Sequence, residues 1–184
     1  MRAEFSLESA RLRMRELTRS DLPFVCEMLG DADVMRFYPR PLDTEECAAW
    51  IERQCARYAS DGHGLWLVED RASGLPVGQA GLVMQHLVGF PKPRYAEVGY
   101  LLHRPFWKRG YATESAATIR HFAHEALGYD EVISLIRPEN EPSQAVARRL
   151  GMHVIGETIY GTLPHLVFGA THGDSPITDD ATPG

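Results

Sequence analysis

What the chain has little of narrows it first. Its 184 residues hold three cysteines, Cys26, Cys47 and Cys55. The count is odd, no C-x-x-C pair occurs, and Cys47 and Cys55 stand too far apart on one helix to be bridged. A disulfide framework is therefore excluded, and a reducing cytoplasm is the expected setting. No apolar run approaches the roughly 18 residues of a membrane span, and Met1 to Glu4 lead into no signal-peptide core. The expectation is a soluble, unexported protein with no membrane partner. Positive charge is short as well: Lys and Arg number 19 against 25 Asp and Glu, a formal net charge of −6. Without a basic field there is no reason to expect nucleic acid as a partner, and amines are favoured weakly. G-x-G-x-x-G and H-E-x-x-H are both missing, and no internal repeat is evident. Eight histidines are present, but the best pair, His121-x-x-His124, needs a third ligand from elsewhere, so no metal is expected.

What is there suits one domain. Leu12 to Leu17 alternates as a strand, and Thr18 to Asp21 caps a helix through Phe24, Val25, Met28 and Leu29 that Gly30 stops. Asp43-Thr44-Glu45-Glu46 opens a second helix carrying Cys47, Trp50, Ile51, Gln54 and Tyr58. Leu65 to Val68, Val77 to Met84 and Tyr95 to Leu102 follow as three strands of an antiparallel meander. The proline-rich loop Val88 to Pro93 joins the last two and is either a substrate contact or a solvated connector. A long helix carries Ala112, Ala116, Ile119, Phe122, Ala123 and Ala126 at helical spacing. The strand Glu131 to Ile136, a short helix from Asn140 to Leu150, and the strands Met152 to Glu157 and Leu163 to Phe168 complete the domain. Residues 1–169 are assigned to it. Residues 170–184, nearly devoid of apolar side chains, are expected to be a disordered tail.

The most informative stretch is Trp107-Lys108-Arg109-Gly110-Tyr111-Ala112-Thr113. It places a small-residue turn between the apolar strand Val98 to Leu102 and the amphipathic helix. The first amides of a helix lack internal partners, and Gly110 and Ala112 leave room for an anion to reach them. A bland tight turn would explain the glycine by itself; the flanking strand and helix favour an anion site.

The element order, Glu97-Val98-Gly99-Tyr100, this turn through Glu114, and Asn140-x-x-Ser143 with Leu150-Gly151-Met152 together resemble the Gcn5-related N-acetyltransferase (GNAT) superfamily over about residues 10 to 169. Within it the motifs look like the branch that acetylates N-terminal amines of ribosomal proteins. The resemblance implies an α/β (α+β) fold, with a central, mostly antiparallel sheet split between its fourth and fifth strands and flanked by helices. It also implies acetyl-CoA as co-substrate, held in the split without a metal. Lys108, Arg109, Gly110, Tyr111, Ala112 and Thr113 would take the pyrophosphate. Tyr100, Leu101 and Leu102 would run beside the pantetheine arm, where their amides would polarise the thioester carbonyl. Asn140 would touch the same arm or serve only as a helix N-cap. Trp107 departs from the Gln or Arg usual at the turn's first position.

An ammonium must lose a proton before it attacks a thioester, and the resemblance makes Glu97 the base, directly or through water; the alternative is an exposed strand-end carboxylate. Leu135 occupies the place where some relatives carry a glutamate, a departure that favours either Glu97 or a substrate-assisted, positioning-only mechanism. Ala147 stands where many carry a tyrosine acid; the ribosomal-protein branch uses a serine three residues after the helix asparagine, so the resemblance implies that Ser143 assists the departing sulfur. Tyr38, Phe37, Trp50 and Phe90 would wall the amine side, although core packing is the competing reading, favoured for Trp50. The acceptor would be the amine of a peptide or protein N-terminus, or else a small molecule such as an antibiotic, polyamine or amino acid. A non-catalytic acyl-CoA-binding module is a third reading, motivated by the absent tyrosine and glutamate. A homodimer is left open.

Overall fold

The computed structural model describes residues 5–174. Its strands are β1 (Ser6–Glu8), β2 (Leu12–Arg15), β3 (Leu65–Asp70), β4 (Pro76–Gln85), β5 (Tyr95–Leu102), β6 (Glu131–Ile136), β7 (His153–Tyr160) and β8 (Leu163–Thr171). They form one eight-stranded sheet in the order β1-β2-β3-β4-β5-β6-β8-β7. Every neighbouring pair is antiparallel except β5 with β6. The mixed α/β architecture and mostly antiparallel sheet are those expected. Strand β1 was not anticipated, because three residues are too few to show alternation.

Four helices cover the sheet: α1 (Leu22–Leu29), α2 (Thr44–Ser60), α3 (Tyr111–Glu125) and α4 (Glu141–Arg149). Helix α2 begins where its sequence says. The Asp43 carboxylate accepts from the Glu46 amide at 2.9 Å, and the Glu46 carboxylate accepts from the Asp43 amide at 3.0 Å, a reciprocal capping box. Thr18 leads first into a 3-10 turn, Arg19–Asp21, and only then into α1. Alternation along the strands divides the core between two faces. Trp66 and Val68 of β3 pack on the side of α3 and α4, with Ala116, Ile119 and Val146. Leu67 packs on the other side, with Val25, Met28, Cys47 and Ile51 of α1 and α2. Gln54, on the apolar face of α2, is fully buried; its side-chain oxygen accepts from the Leu65 amide at 3.0 Å, while its amide nitrogen is left without a hydrogen-bond partner among the described residues.

The domain's far edge lies beyond the expected one. Strand β8 runs to Thr171, and Ala170 is buried opposite Val132 of β6. The ladder satisfies backbone groups where the side chains give little signal. Residues 175–184, the remainder of the expected tail, lie outside the described residues. Among those described, no helix is long and apolar enough to cross a membrane.

Candidate active site

Strands β5 and β6 pair only at Ala96 with Val132 and Glu97 with Ile133. Beyond those residues they part, and the opening widens into a cleft of about 640 Å³. Tyr100, Leu101 and Leu102 form one wall, Asn140, Ser143 and Val146 of the α4 region another, and the turn into α3 the end. The backbone register sharpens what β5 offers. The His103 amide bonds to Val77 O at 2.9 Å, so by ladder alternation the Leu101 and Gly99 amides also face β4. The polar groups of Val98, Tyr100 and Leu102 therefore face the split. Val98 O is taken by Ser134 Oγ at 2.7 Å and Leu102 O by Trp107 Nε1 at 2.8 Å. Of the three strand residues expected beside the cofactor, Tyr100 and Leu102 thus turn their amides to the split. Leu101 borders the cleft, but its amide belongs to the ladder.

The turn is built from two left-handed residues, Lys108 at φ 60° and Gly110 at φ 78°. For lysine that conformation is costly, by roughly 1 kcal/mol or more, and something must hold it. The holder is remote in sequence. The Arg11 guanidinium donates to Arg109 O at 3.0 Å and to Glu114 Oε2 at 2.6 Å, and lies 4.7 Å from the Tyr111 ring centroid. Glu114 Oε1 accepts from Ser9 Oγ at 2.7 Å and from the Arg11 amide at 2.8 Å. Tyr111 Oη donates to Asp70 at 2.6 Å. The first bond of α3 runs from the Glu114 amide to Gly110 O at 3.0 Å, so the amides of Tyr111, Ala112 and Thr113 precede the ladder and are available to an anion. Lys108 and Arg149 border the cleft, whereas the Arg109 guanidinium turns to the Phe106 ring, 5.2 Å from its centroid. Glu114 belongs to the turn motif, but Ser9 and Arg11 had not been singled out in the sequence, because contacts about a hundred residues apart leave no local pattern.

Asn140 caps α4: its Oδ1 accepts from the Ser143 amide at 3.2 Å, and both residues line the cleft. The N-cap role is therefore filled, and it is compatible with a ligand contact. Tyr100 Oη donates to Ser143 O at 2.8 Å, tying β5 to α4 across the split. Desolvation, helped by the negative Glu97 nearby, pushes the Tyr100 phenol far above its ordinary pKa.

Glu97 stands where the two strands begin to part. Its Oε2 accepts from Gln85 Nε2 at 2.5 Å, and its Oε1 accepts a long bond, 3.4 Å, from the Leu135 amide. Desolvation raises its pKa above the usual carboxylate value, against the pull of those two donors. Gln85 Nε2 also lies 3.4 Å from Tyr160 Oη. Tyr38 completes the group. Although 41% exposed as a residue, it has a desolvated hydroxyl, and with Glu97 and Tyr160 adding negative charge its pKa is pushed up to about 12. Gln85 and Tyr160 were not foreseen, since neither sits in a motif.

Of the four aromatics expected on the amine side, Tyr38, Trp50 and Phe90 are not among the residues that line the cleft. Trp50 packs partly buried against the core cluster of α1 and α2 and donates its indole N–H to Gln79 at 2.8 Å. Phe90 folds over Gly156 and meets Tyr95 edge-on at 5.9 Å, in a small cluster with Leu87, Ile133 and Val167. Phe37 does line the cleft. Among the described residues, no group of three His, Cys, Asp or Glu side chains is arranged to hold a metal.

The sequence model of the family described as acetyltransferase (GNAT) domain matches residues 11–153. An uncharacterized Bacillus subtilis protein, YkkB, is 30% identical over 154 residues, 83% of this chain and 88% of its own. The FsC-acetyl coenzyme A-N(2)-transacetylase of Aspergillus fumigatus is 29% identical over 160 residues, 83% of this chain and 66% of that one. Among solved structures, the acetyltransferase from Agrobacterium tumefaciens superposes with a TM-score of 0.78 at 26% identity, covering 91% of this chain and 95% of that one.

Proposed function

The chain belongs to the acetyltransferase (GNAT) domain family and is an acetyl-CoA-dependent acetyltransferase, and on that premise we propose that it transfers acetyl directly to the primary amine of a peptide or protein N-terminus. The observation that carries the acceptor is the setting of Glu97. Its carboxylate is desolvated, yet the nearby residues Tyr38 and Tyr160, the latter reached through Gln85, are 41% and 44% exposed, so a chain attached to the amine has a way outward past them.

In this reading acetyl-CoA lies in the split, its pyrophosphate on the amides of Tyr111 to Thr113. The acceptor ammonium gives its proton to Glu97, directly or through a water; the raised pKa brings that carboxylate nearer the working range of a base. The neutral nitrogen then attacks the thioester carbon. The amide of Tyr100 or Leu102 stabilises the negative charge that builds on the carbonyl oxygen. The intermediate collapses with cleavage of the C–S bond. The CoA thiolate leaves beside Ser143, whose hydroxyl donates a hydrogen bond to the sulfur while solvent or the released amine proton completes its protonation.

A small amine is the second reading, favoured by the 29% identity to a protein named as an N(2)-transacetylase. The two are separated by following thiol release from acetyl-CoA with purified protein across N-terminal peptides and small amines. Peptides are expected to give the higher kcat/KM. Turnover of small amines alone would rule out the N-terminal reading.

A further inference from the structure

Trp107 leaves a question about charge. The superfamily that the sequence resembles places Gln or Arg there, whereas here the position is an indole whose N–H is committed to Leu102 O at 2.8 Å. Another residue occupies the space above it. Arg36, from the loop between α1 and α2, lines the cleft together with Lys108, Gly110 and Thr113. Its guanidinium carbon lies 5.7 Å from the Trp107 ring centroid and 4.6 Å from that of Phe37. The acids of the same loop are engaged elsewhere: Arg104 pairs with Asp31 at 3.1 Å and with Asp33 at 3.3 Å. Among the described residues Arg36 makes no ion pair, so its charge is uncompensated in a chain whose net charge is −6.

A guanidinium resting on aromatic faces keeps the N–H donors around its rim, and that planar fork matches the oxygens of a phosphate. We infer that Arg36 is a diphosphate-binding residue for the acyl-CoA donor, reaching the turn from the loop between α1 and α2 and adding a charged donor beside the main-chain amides. The inference rests on acetyl-CoA occupying the cleft. It has a consequence two residues along the chain, where Tyr38 approaches Glu97. Donor binding fixes the Arg36 end of the loop, and so sets the tyrosine wall before the amine arrives.

The test compares Arg36→Gln with the wild type by calorimetry against CoA, 3′-dephospho-CoA and pantetheine, with hydrogen exchange on the loop. The expected result is a loss of roughly 10- to 100-fold for CoA and equally for 3′-dephospho-CoA, the range of one charge-assisted hydrogen bond. Pantetheine, which has no diphosphate, should bind both proteins alike. CoA should slow exchange at residues 36–38 in the wild type and not in the variant. Arg36→Lys, which keeps charge without the fork, should fall between. Because Arg36 is exposed, the unliganded melting temperature should not move. Unchanged CoA affinity, or an equal loss for pantetheine, would overturn the inference. A loss confined to CoA and absent with 3′-dephospho-CoA would also overturn it, by moving the contact to the 3′-phosphate. Failure of the wild type to bind CoA would be a different result, overturning the donor assignment itself.

Discussion

Replacing Glu97 with glutamine separates its chemistry from its cost. Desolvation raises the carboxyl pKa, so the folded chain holds that proton more tightly than the unfolded one. A group of that kind contributes stability below its unfolded pKa and loses it as pH rises through the folded value. Glu97→Gln stays neutral and escapes the loss. Its melting temperature should exceed the wild type's at pH 7, and the margin should close as pH falls to about 4. Turnover should drop by about 100-fold or more, and the acidic limb of the kcat/KM profile should disappear with it. A variant that turns over like the wild type would end the base assignment. Ser143→Ala is the milder case. A neutral donor to the leaving sulfur is lost while the backbone contacts remain, so kcat should fall several-fold, about the worth of one neutral hydrogen bond, with the CoA dissociation constant little changed. At Gly110 the backbone is decisive: φ is +78°, and an added Cβ would meet the Arg11 guanidinium at 3.3 Å. Gly110→Asp adds strain and a negative charge where the diphosphate must sit, and calorimetry should find CoA binding abolished.

At the scale of elements, the turn depends on β2's approach to α3. Arg11→Ala removes the bond to Arg109 O, the pair with Glu114 and the cation over Tyr111. The Arg11 side chain is 49% exposed, so the pair is screened and the stability loss should stay near ~1 kcal/mol or below. CoA affinity should suffer more, by about tenfold, because the carbonyl that locks the left-handed turn is released. A melting-temperature loss with unchanged CoA affinity would show that Arg11 serves the fold alone. This buttress marks the boundary of what was legible in the sequence. Elements with periodic apolar faces were readable: β5 and β6 have the bounds the pattern gave, and the Asp43 box starts α2 where expected. The turn was readable because strand, small residues and helix adjoin in the chain. Arg11, Gln85 and Tyr160 were not, because each acts on a partner that only the folded sheet brings near. Trp50 and Phe90 illustrate a related point. An aromatic near a site and an aromatic in a core look alike in sequence, and only the fold shows the part-buried Trp50 indole reaching Gln79 and the Phe90 ring covering Gly156.

For the whole molecule, the split makes the ligand a structural member. Direct strand pairing between the two parts of the sheet amounts to the two residue pairs where β5 meets β6, helped by Ser134 on Val98 and Tyr100 on Ser143. A molecule that fills the cleft touches β5, α3 and α4 at once and binds the folded state alone. At a hundred times its dissociation constant CoA should therefore add about 2.7 kcal/mol. At roughly 2–4 °C per kcal/mol for a chain of this size, the melting temperature should rise by about 5–10 °C. The register says where the protection should appear. Amides of Tyr100 and Leu102 face the split and should exchange more slowly with ligand bound, whereas the Leu101 amide, already in the β4 ladder, should not change. Stabilisation by CoA without slowed exchange at Tyr100 and Leu102 would place the ligand outside the split. Slowing that included Leu101 equally would mean that the whole strand tightens, and that the alternation of β5 does not govern how the donor is held.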